Sequence, residues 1–421
     1  MERPGACGPR LPHPLDPGPG APWDILFVGY GDWLLWNWDG FRTRSAQLFR
    51  FLARSKRVAR VFVLNEPVYL RGGQAGFAVP RWERFKRLPL RGGGRRESEK
   101  VILLEPSRFL VGPDRMKRPW TARMLAREMA AWKARPVLWI ANVHKAWLMR
   151  EVPAAVRVFD AIDDWDAVPE YRKQGKNIRA GYGRVLQDAD LIYTVSRPLL
   201  AKFRRRARTP EVHHLPNGVD LDLFSTPAEP PLKRRAARRL RQPILTYVGV
   251  LSERFDMELM GEVARQWPRC TIRLVGPVGG TLELRLRRLR GLPNVEWTGL
   301  VRHERVPDLL RESDVLLIPH RESPLSLSMD PLKLYEYLTT GLPVVTTPVP
   351  PVEEYARWLY IGAASDFPRL VGEALAEADR AQAEALWRGR IEVGKKQGWE
   401  IRIGRILSDL DRLRGSLPSC L

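Results

Sequence analysis

The sequence predicts an α/β protein of two Rossmann-like, doubly wound domains facing a central cleft. Three observations carry this expectation. Short apolar runs alternate with amphipathic stretches such as RSAQLFRFLARS, as in a parallel sheet covered by helices. The alternation is interrupted at 219–241, where prolines and the basic run LKRRAARRLR intervene. It then starts again at PILTYVGV and runs to PVVTTP (343–348).

Taken in order, residues 1–22 are rich in Pro and Gly and read as a disordered tail. The first domain is expected over 23–218, with strands at WDILFVG (23–29), RVFVLN (60–65), KVILL (100–104), PVLWIA (136–141), VRVFDA (156–161) and DLIYTV (190–195). Residues 219–241 read as a linker. The second domain, 242–390, takes its strands from PILTYVGV (243–250), TIRLVG (271–276), NVEW (294–297), DVLLIP (314–319) and PVVTTP (343–348). Residues 391–421 close the chain with an amphipathic helix.

Composition narrows the classes. The 421 residues are 44% hydrophobic, enough for real cores. The three cysteines, Cys7, Cys270 and Cys420, lack metal-ligand or redox spacing. The opening residues have no basic segment followed by an apolar one, and no run approaches 18 apolar residues, so a cytoplasmic site is expected. The formal charge of +22 attracts phosphate in some form: nucleic acid, anionic lipid or a phosphorylated small molecule. No zinc-finger spacing, RNP-type strand or helix-turn-helix accompanies that charge, which argues against nucleic acid. The basic runs at 202–208, 232–241 and 284–290 suit peripheral attachment to an anionic membrane surface.

The stretch DPLKLYEYLTTGLP (330–343) is the most informative. Asp330 is expected to cap a helix of about ten residues, with Pro331 at its first position and Gly341 just past its end. Lys333, Glu336 and Thr340 share one line on an otherwise apolar helix. By itself the Lys333 and Glu336 pair reads as a surface ion pair. Position changes that reading, because DVLLIP delivers the helix to the carboxyl edge of the second sheet, where open parallel sheets bind ligands. There a helix N-terminus and Lys333 suit a diphosphate, while the Glu336 carboxylate matches two adjacent ribose hydroxyls.

With HLPNGVDLDLF (214–224) and YVGVLSERFDMELM (247–260), in this order and spacing, the stretch resembles GT-B glycosyltransferases of the large family 4 type. The resemblance is strongest to bacterial enzymes of teichuronic acid or other cell-surface polysaccharide synthesis. It implies that Glu336 holds the nucleotide ribose and that Lys333 is the basic residue of P-L-K-x-x-E-Y. It also implies that Gly249 lets the backbone approach the diphosphate and that Val301 lies near the base. Two departures stand out. Ser328 replaces the family's first glutamate, which addresses the donor sugar, and Arg254 alone remains as a diphosphate cation in its loop.

On the acceptor side, FDAIDDWDAVPEY (159–171) is expected to gather Asp160, Asp163, Asp164 and Asp166 at the first sheet's carboxyl edge, with Asp163 the best candidate and one aspartate capping a helix. Asp164 and Asp166 form a D-x-D, but the helix site already offers phosphate charge compensation, so no metal is expected. His144, after the fourth strand of this set, is the candidate to bind the donor sugar or accept a proton. The glycine-containing loop at 29–47 offers Arg42 and Arg44 to a phosphate, and Trp33, Trp36 and Trp38 to a sugar or to the core. The sequence therefore reads as an enzyme that moves a sugar from a nucleoside diphosphate donor to a glycan or lipid-linked acceptor without a further cofactor. A nucleotide-sugar 2-epimerase, a catalytically weak nucleotide-binding subunit and a nucleic-acid binder are the competing readings.

Overall fold

A computed structural model describes residues 20–66, 81–110, 114–208, 210–231, 233, 242–279 and 282–416. The opening residues 1–19, and 232 and 234–241 of the basic linker, lie outside the described residues.

The first sheet contains β1 (Trp23–Val28), β2 (Val58–Leu64), β3 (Gly93–Arg96), β4 (Val101–Glu105), β5 (Val137–Ile140), β6 (Val156–Ala161), β7 (Leu191–Thr194) and β8 (Glu211–His214). Their order is β3-β4-β2-β1-β5-β6-β7-β8, parallel except for β3 against β4. Successive side chains of β1 serve opposite faces. Leu26 and Val28 join Phe62, Leu138 and Phe159 on one side, and Ile25 and Phe27 join Val61, Trp139 and Tyr193 on the other. Both faces are covered, which is why these strands read as nearly continuous apolar runs.

The second sheet contains β9 (Ile244–Val248), β10 (Thr271–Val275), β11 (Val295–Gly299), β12 (Val315–Ile318), β13 (Val344–Thr346) and β14 (Tyr360–Ile361). The order is β11-β10-β9-β12-β13-β14. Chain direction across the sheet reverses between β9 and β12, which opens a crevice at their carboxyl ends.

The last described helix packs on the first domain. Helix Trp399–Ser416 seats Trp399, Ile403, Ile406, Leu407 and Leu410 in the same core as Trp23, Ile25 and Phe27, and Trp23 Nε1 donates to Asp411 Oδ1 at 2.8 Å. The preceding helix, Ala383–Lys395, stays with the second domain. Its Arg390 and the partner carboxylate of Glu377 are both almost wholly buried, with Nη1 2.7 Å from Oε1. Between these helices the chain lies against the other interdomain passage: Val219 N donates to Gln397 O at 2.9 Å, and Trp399 N donates to Val219 O at 3.1 Å.

Three edge strands, β3, β8 and β14, were not expected. GGRR, EVHH and the two-residue YI carry little apolar signal because edge strands have only one paired side. The loop expected at 29–47 contains a helix, Trp33–Asp39, capped by Asp32, whose Oδ1 accepts from Leu35 N at 3.0 Å. Gly40, at φ 82°, ends it in the left-handed conformation.

Candidate functional site

The helix from the informative stretch runs over Leu332–Thr340 and ends at Gly341, φ 75°. Its start differs from expectation. Pro331 occupies the capping position without a side-chain bond, and Asp330 does not cap the helix. Instead Asp330 Oδ2 accepts from Asn217 N at 2.5 Å, Asn217 Nδ2 donates to Asp330 O at 2.6 Å, and Oδ1 accepts from Tyr335 Oη at 2.7 Å. A residue 113 positions away competes for the carboxylate, a contact that local capping rules do not contain. Asp330 thus ties the helix to the first domain rather than facing a ligand. Burial pushes its carboxyl up to about 6, against the opposing hydrogen bonds from Asn217 and Tyr335.

Lys333 and Glu336 stand one turn apart, and each has a partner that the sequence did not suggest. Lys333 Nζ lies 3.3 Å from Tyr247 Oη and 3.3 Å from His320 Nε2. Burial pulls the Lys333 ammonium down to about 7, Glu336 acting against this and Arg254 adding to it. His320 is held well below the usual histidine range, first by burial and then by Lys333 and Arg254, so it is neutral at pH 7. A neutral ring accepting from the Lys333 ammonium through Nε2 keeps its proton on Nδ1.

Glu336 is buried, and its Oε1 lies 2.8 Å from His303 Nε2. His303 Nδ1 is in turn 3.3 Å from Gln47 Nε2, on the first domain's helix Arg44–Arg54. Glu336 Oε2 makes no hydrogen bond among the described residues. One carboxylate oxygen is thus open and the other is shared with His303. His303 and His320 went unnoticed in the sequence. Both follow a strand of the second sheet, at VRH after β11 and IPH after β12, and strand ends at a ligand edge are the signal that points to them.

The glycines at the edge of the crevice are required by geometry. Gly249 (φ 146°) and Gly276 (φ 134°) follow β9 and β10 in conformations unfavourable to residues with a Cβ. A Cβ on Gly276 would lie 2.0 Å from Gly249 O, and one on Gly249 would lie 2.9 Å from Lys333 Nζ. The backbone therefore runs directly beside the lysine. Val301 follows β11 and is partly buried.

Arg254 and Asp163, expected on opposite sides of the cleft, meet across it: Arg254 Nη2 is 3.2 Å from both oxygens of Asp163. Ser328 is buried, its Oγ donating to Leu325 O at 2.9 Å while its carbonyl accepts from Ser196 Oγ at 2.6 Å. In place of a carboxylate the chain uses this residue to join the domains. His144 is partly buried in the first domain, its ring edge-on to Trp165 and Tyr171 at 6.2 and 5.8 Å.

Other expected ligand groups are structural. Arg44 is buried, with Nε and Nη2 on Asp160 at 2.9 to 3.2 Å and Nη1 on Asn217 Oδ1 at 3.0 Å. Asp160 therefore lies within the first domain instead of facing the cleft, and Arg44 is committed before any phosphate arrives. Arg42 pairs with Asp39 at 3.0 Å. Asp164 caps a short turn, accepting from Asp166 N at 3.2 Å, and both carboxylates share Lys202 at 2.6 and 3.1 Å. Trp36 is a core residue stacked on Phe49, Trp33 packs edge-on to Phe41 and Phe49, and Trp38 is exposed.

Two wound domains, joined across a cleft whose second wall carries a basic helix start beside two glycine-bearing loops, define the GT-B architecture. Residues 242–376 match the family described as Glycosyl transferases group 1. Among curated proteins, the chain is 30% identical over 222 residues to TuaH of Bacillus subtilis (strain 168), a protein named for glycosyl transfer in teichuronic acid biosynthesis. That match covers 50% of this chain and 55% of TuaH. It is also 30% identical over 142 residues to EpsF of the same organism, named as a glycosyltransferase, covering 32% of this chain and 35% of EpsF. The chain thus spans about half or less of the curated relatives it matches. Among solved structures, a sucrose-phosphate synthase from Thermosynechococcus elongatus shares the fold with a TM-score of 0.66 and 16% identity, covering 93% of this chain and 99% of the other. Anabaena HepE in complex with UDP and glucose has a TM-score of 0.56 and 15% identity, covering 73% and 86%.

Proposed function

We propose that the protein is a glycosyltransferase that moves a sugar from a nucleoside diphosphate sugar to a hydroxyl of a glycan or lipid-linked acceptor in cell-surface polysaccharide synthesis. One observation supports the reading: Lys333 and Glu336 lie one turn apart on a helix at the switch point of the second sheet, with Lys333 directly beside the Gly249 loop. The similarity to TuaH supports the pathway class. No described helix is long and apolar enough to cross a membrane. We place the enzyme in the cytoplasm at the membrane's inner face, held by its basic runs.

In the proposed reaction the bond from the sugar's anomeric carbon to the phosphate oxygen breaks, a bond to the acceptor oxygen forms, and the acceptor hydroxyl's proton passes to the departing diphosphate. Lys333 and Arg254 stabilise the charge growing on the departing diphosphate, an electrostatic role that needs no metal. Asp163 positions the Arg254 guanidinium, and His144 stands on the acceptor side. The family resemblance suggests retention of anomeric configuration.

The test is thermal unfolding with UDP, GDP and ADP in turn. A ligand at a hundred times its dissociation constant adds about 2.7 kcal/mol, and UDP is the nucleotide expected to raise the midpoint. Failure of all three removes the reading. A rise without sugar transfer to any acceptor would recast the chain as a nucleotide-binding subunit.

Lys333 adds a pH dependence. In the free protein its ammonium titrates near 7, and a neighbouring diphosphate favours the charged form, so the complex holds more protons than the free protein above that pH. Affinity for UDP is therefore expected to fall as pH rises from 7 to 9, by at most about tenfold per unit. Calorimetric titrations at pH 7, 8 and 9 measure the slope, which Lys333→Met should flatten. An unchanged dissociation constant across that range would show that Lys333 does not meet the phosphates.

A further inference from the structure

The first domain carries a second cleft, unconnected with the nucleotide residues. It is open to solvent and lies at the carboxyl ends of β2, β4 and β5 against helix Asp114–Ala131. Its lining includes Lys117, Arg118 and Lys145 and one carboxylate, Glu66, which pairs with Lys145 at 3.0 Å. Lys117 is almost wholly buried at 2% exposure, a rare setting for a lysine.

Hydrogen-bond chemistry sharpens the picture. Arg118 Nε and Trp147 Nε1 are buried N–H donors with no acceptor among the described residues, and both residues line the cleft. The Arg118 guanidinium lies over the Trp147 ring, 5.4 Å from its centre, which fixes its plane. Buried donors are rarely left unmatched in folded proteins. A ligand that satisfies donors among cations brings oxygen acceptors and negative charge.

Position relates the cleft to the reaction. Lys145 directly follows His144 in the loop after β5. Asp163 follows β6, three strands from β2 in the order β2-β1-β5-β6, or roughly 15 Å along the sheet edge. A group held in this cleft is therefore displaced from the reacting hydroxyl by the length of a small acceptor, on the same edge.

The geometry points to an anionic acceptor: Arg118 and Trp147 hold a phosphate or carboxylate of the acceptor while its hydroxyl lies toward His144. This inference rests on the glycosyltransferase reading and narrows its acceptor class. A phosphate on a lipid-linked acceptor and a carboxylate on a uronate-bearing glycan share the chemistry, so the probes must separate them.

The experiment is calorimetric or NMR titration of the full chain with glucose 1-phosphate, methyl β-glucuronide and methyl β-glucoside. At least one charged probe is expected to bind tenfold or more tightly than the neutral glucoside, and which one binds identifies phosphate or carboxylate. Arg118→Gln is expected to weaken that binding at least tenfold. Thr121→Glu, on the half-buried wall of the same cleft, places a carboxylate among the cations and should weaken it as well, which keeps the test decisive if the arginine variant folds poorly. Equal binding of the glucoside, indifference of charged-probe binding to Thr121→Glu, or no binding of any probe overturns the inference. UDP stabilisation of the unaltered chain reports the donor reading separately, so loss of the pocket result with that stabilisation intact overturns the acceptor class alone.

Discussion

Glu336→Ala is expected to abolish the rise in unfolding midpoint that UDP produces in the unaltered chain, a loss of about 2.7 kcal/mol at a hundredfold excess over the dissociation constant. The carboxylate is buried at 8% exposure, and on the helix line shared with Lys333 it is the group proposed to accept from ribose, through one open oxygen and one shared with His303. The substitution has a second effect. It leaves His303 Nε2 without its 2.8 Å partner, and a buried polar group left unmatched costs about 1–3 kcal/mol. The basal midpoint should therefore fall too, and the diagnostic quantity is the increment produced by UDP, not the midpoint itself. Glu336→Gln keeps the shape and one acceptor oxygen and should recover part of both. If Glu336→Ala keeps the full UDP increment, the ribose assignment is wrong.

The other large effect is structural. Arg44→Met removes a buried guanidinium from Asp160, which is 0% exposed. Breaking one side of a buried ion pair costs about 3–5 kcal/mol, because the remaining charge stays desolvated. Denaturant titration should show this loss in the transition that reports the first domain. Arg44→Met combined with Asp160→Leu should regain much of it, since an apolar replacement of the whole pair restores matched burial. A loss below about 1 kcal/mol for Arg44→Met would mean that Asp160 is more solvated than its place in β6 implies. The same variant releases Asn217 Oδ1, whose residue holds Asp330 at the start of the site helix, so donor affinity should weaken alongside stability.

Much of this arrangement was legible in the sequence, and the residues show why the rest was not. The central strands announced themselves because burial on both faces demands unbroken apolar runs. Gly341 and the Lys333 and Glu336 spacing followed from local helix rules. Asp330, Arg44 and Ser328 did not yield to such rules, because their partners, Asn217, Asp160 and Ser196, lie 113, 116 and 132 positions away. Asp164 caps only the short turn Trp165–Ala167, accepting from the N–H two residues on, whereas the helix Pro169–Gln174 that an aspartate was expected to cap starts from Val168 without a side-chain bond, and Asp330 does not cap its helix either. His303 and His320 were missed because a histidine in a loop carries no periodic signal. Only the strand before it marks the position.

The paired passages between the domains have a mechanical consequence. Two connections attached at distant points would lock the domains or restrict them to bending of the whole molecule. Here Val219 and Gly398 are bridged to each other, so the chain leaves the first domain and returns to it through a single hydrogen-bonded seam. Two rigid bodies joined along one seam retain essentially one rotation, like the covers of a book about its spine. Opening by that rotation would separate Arg254 from Asp163 and Gln47 from His303 in the same movement, so the cleft's polar contacts would be made and broken together.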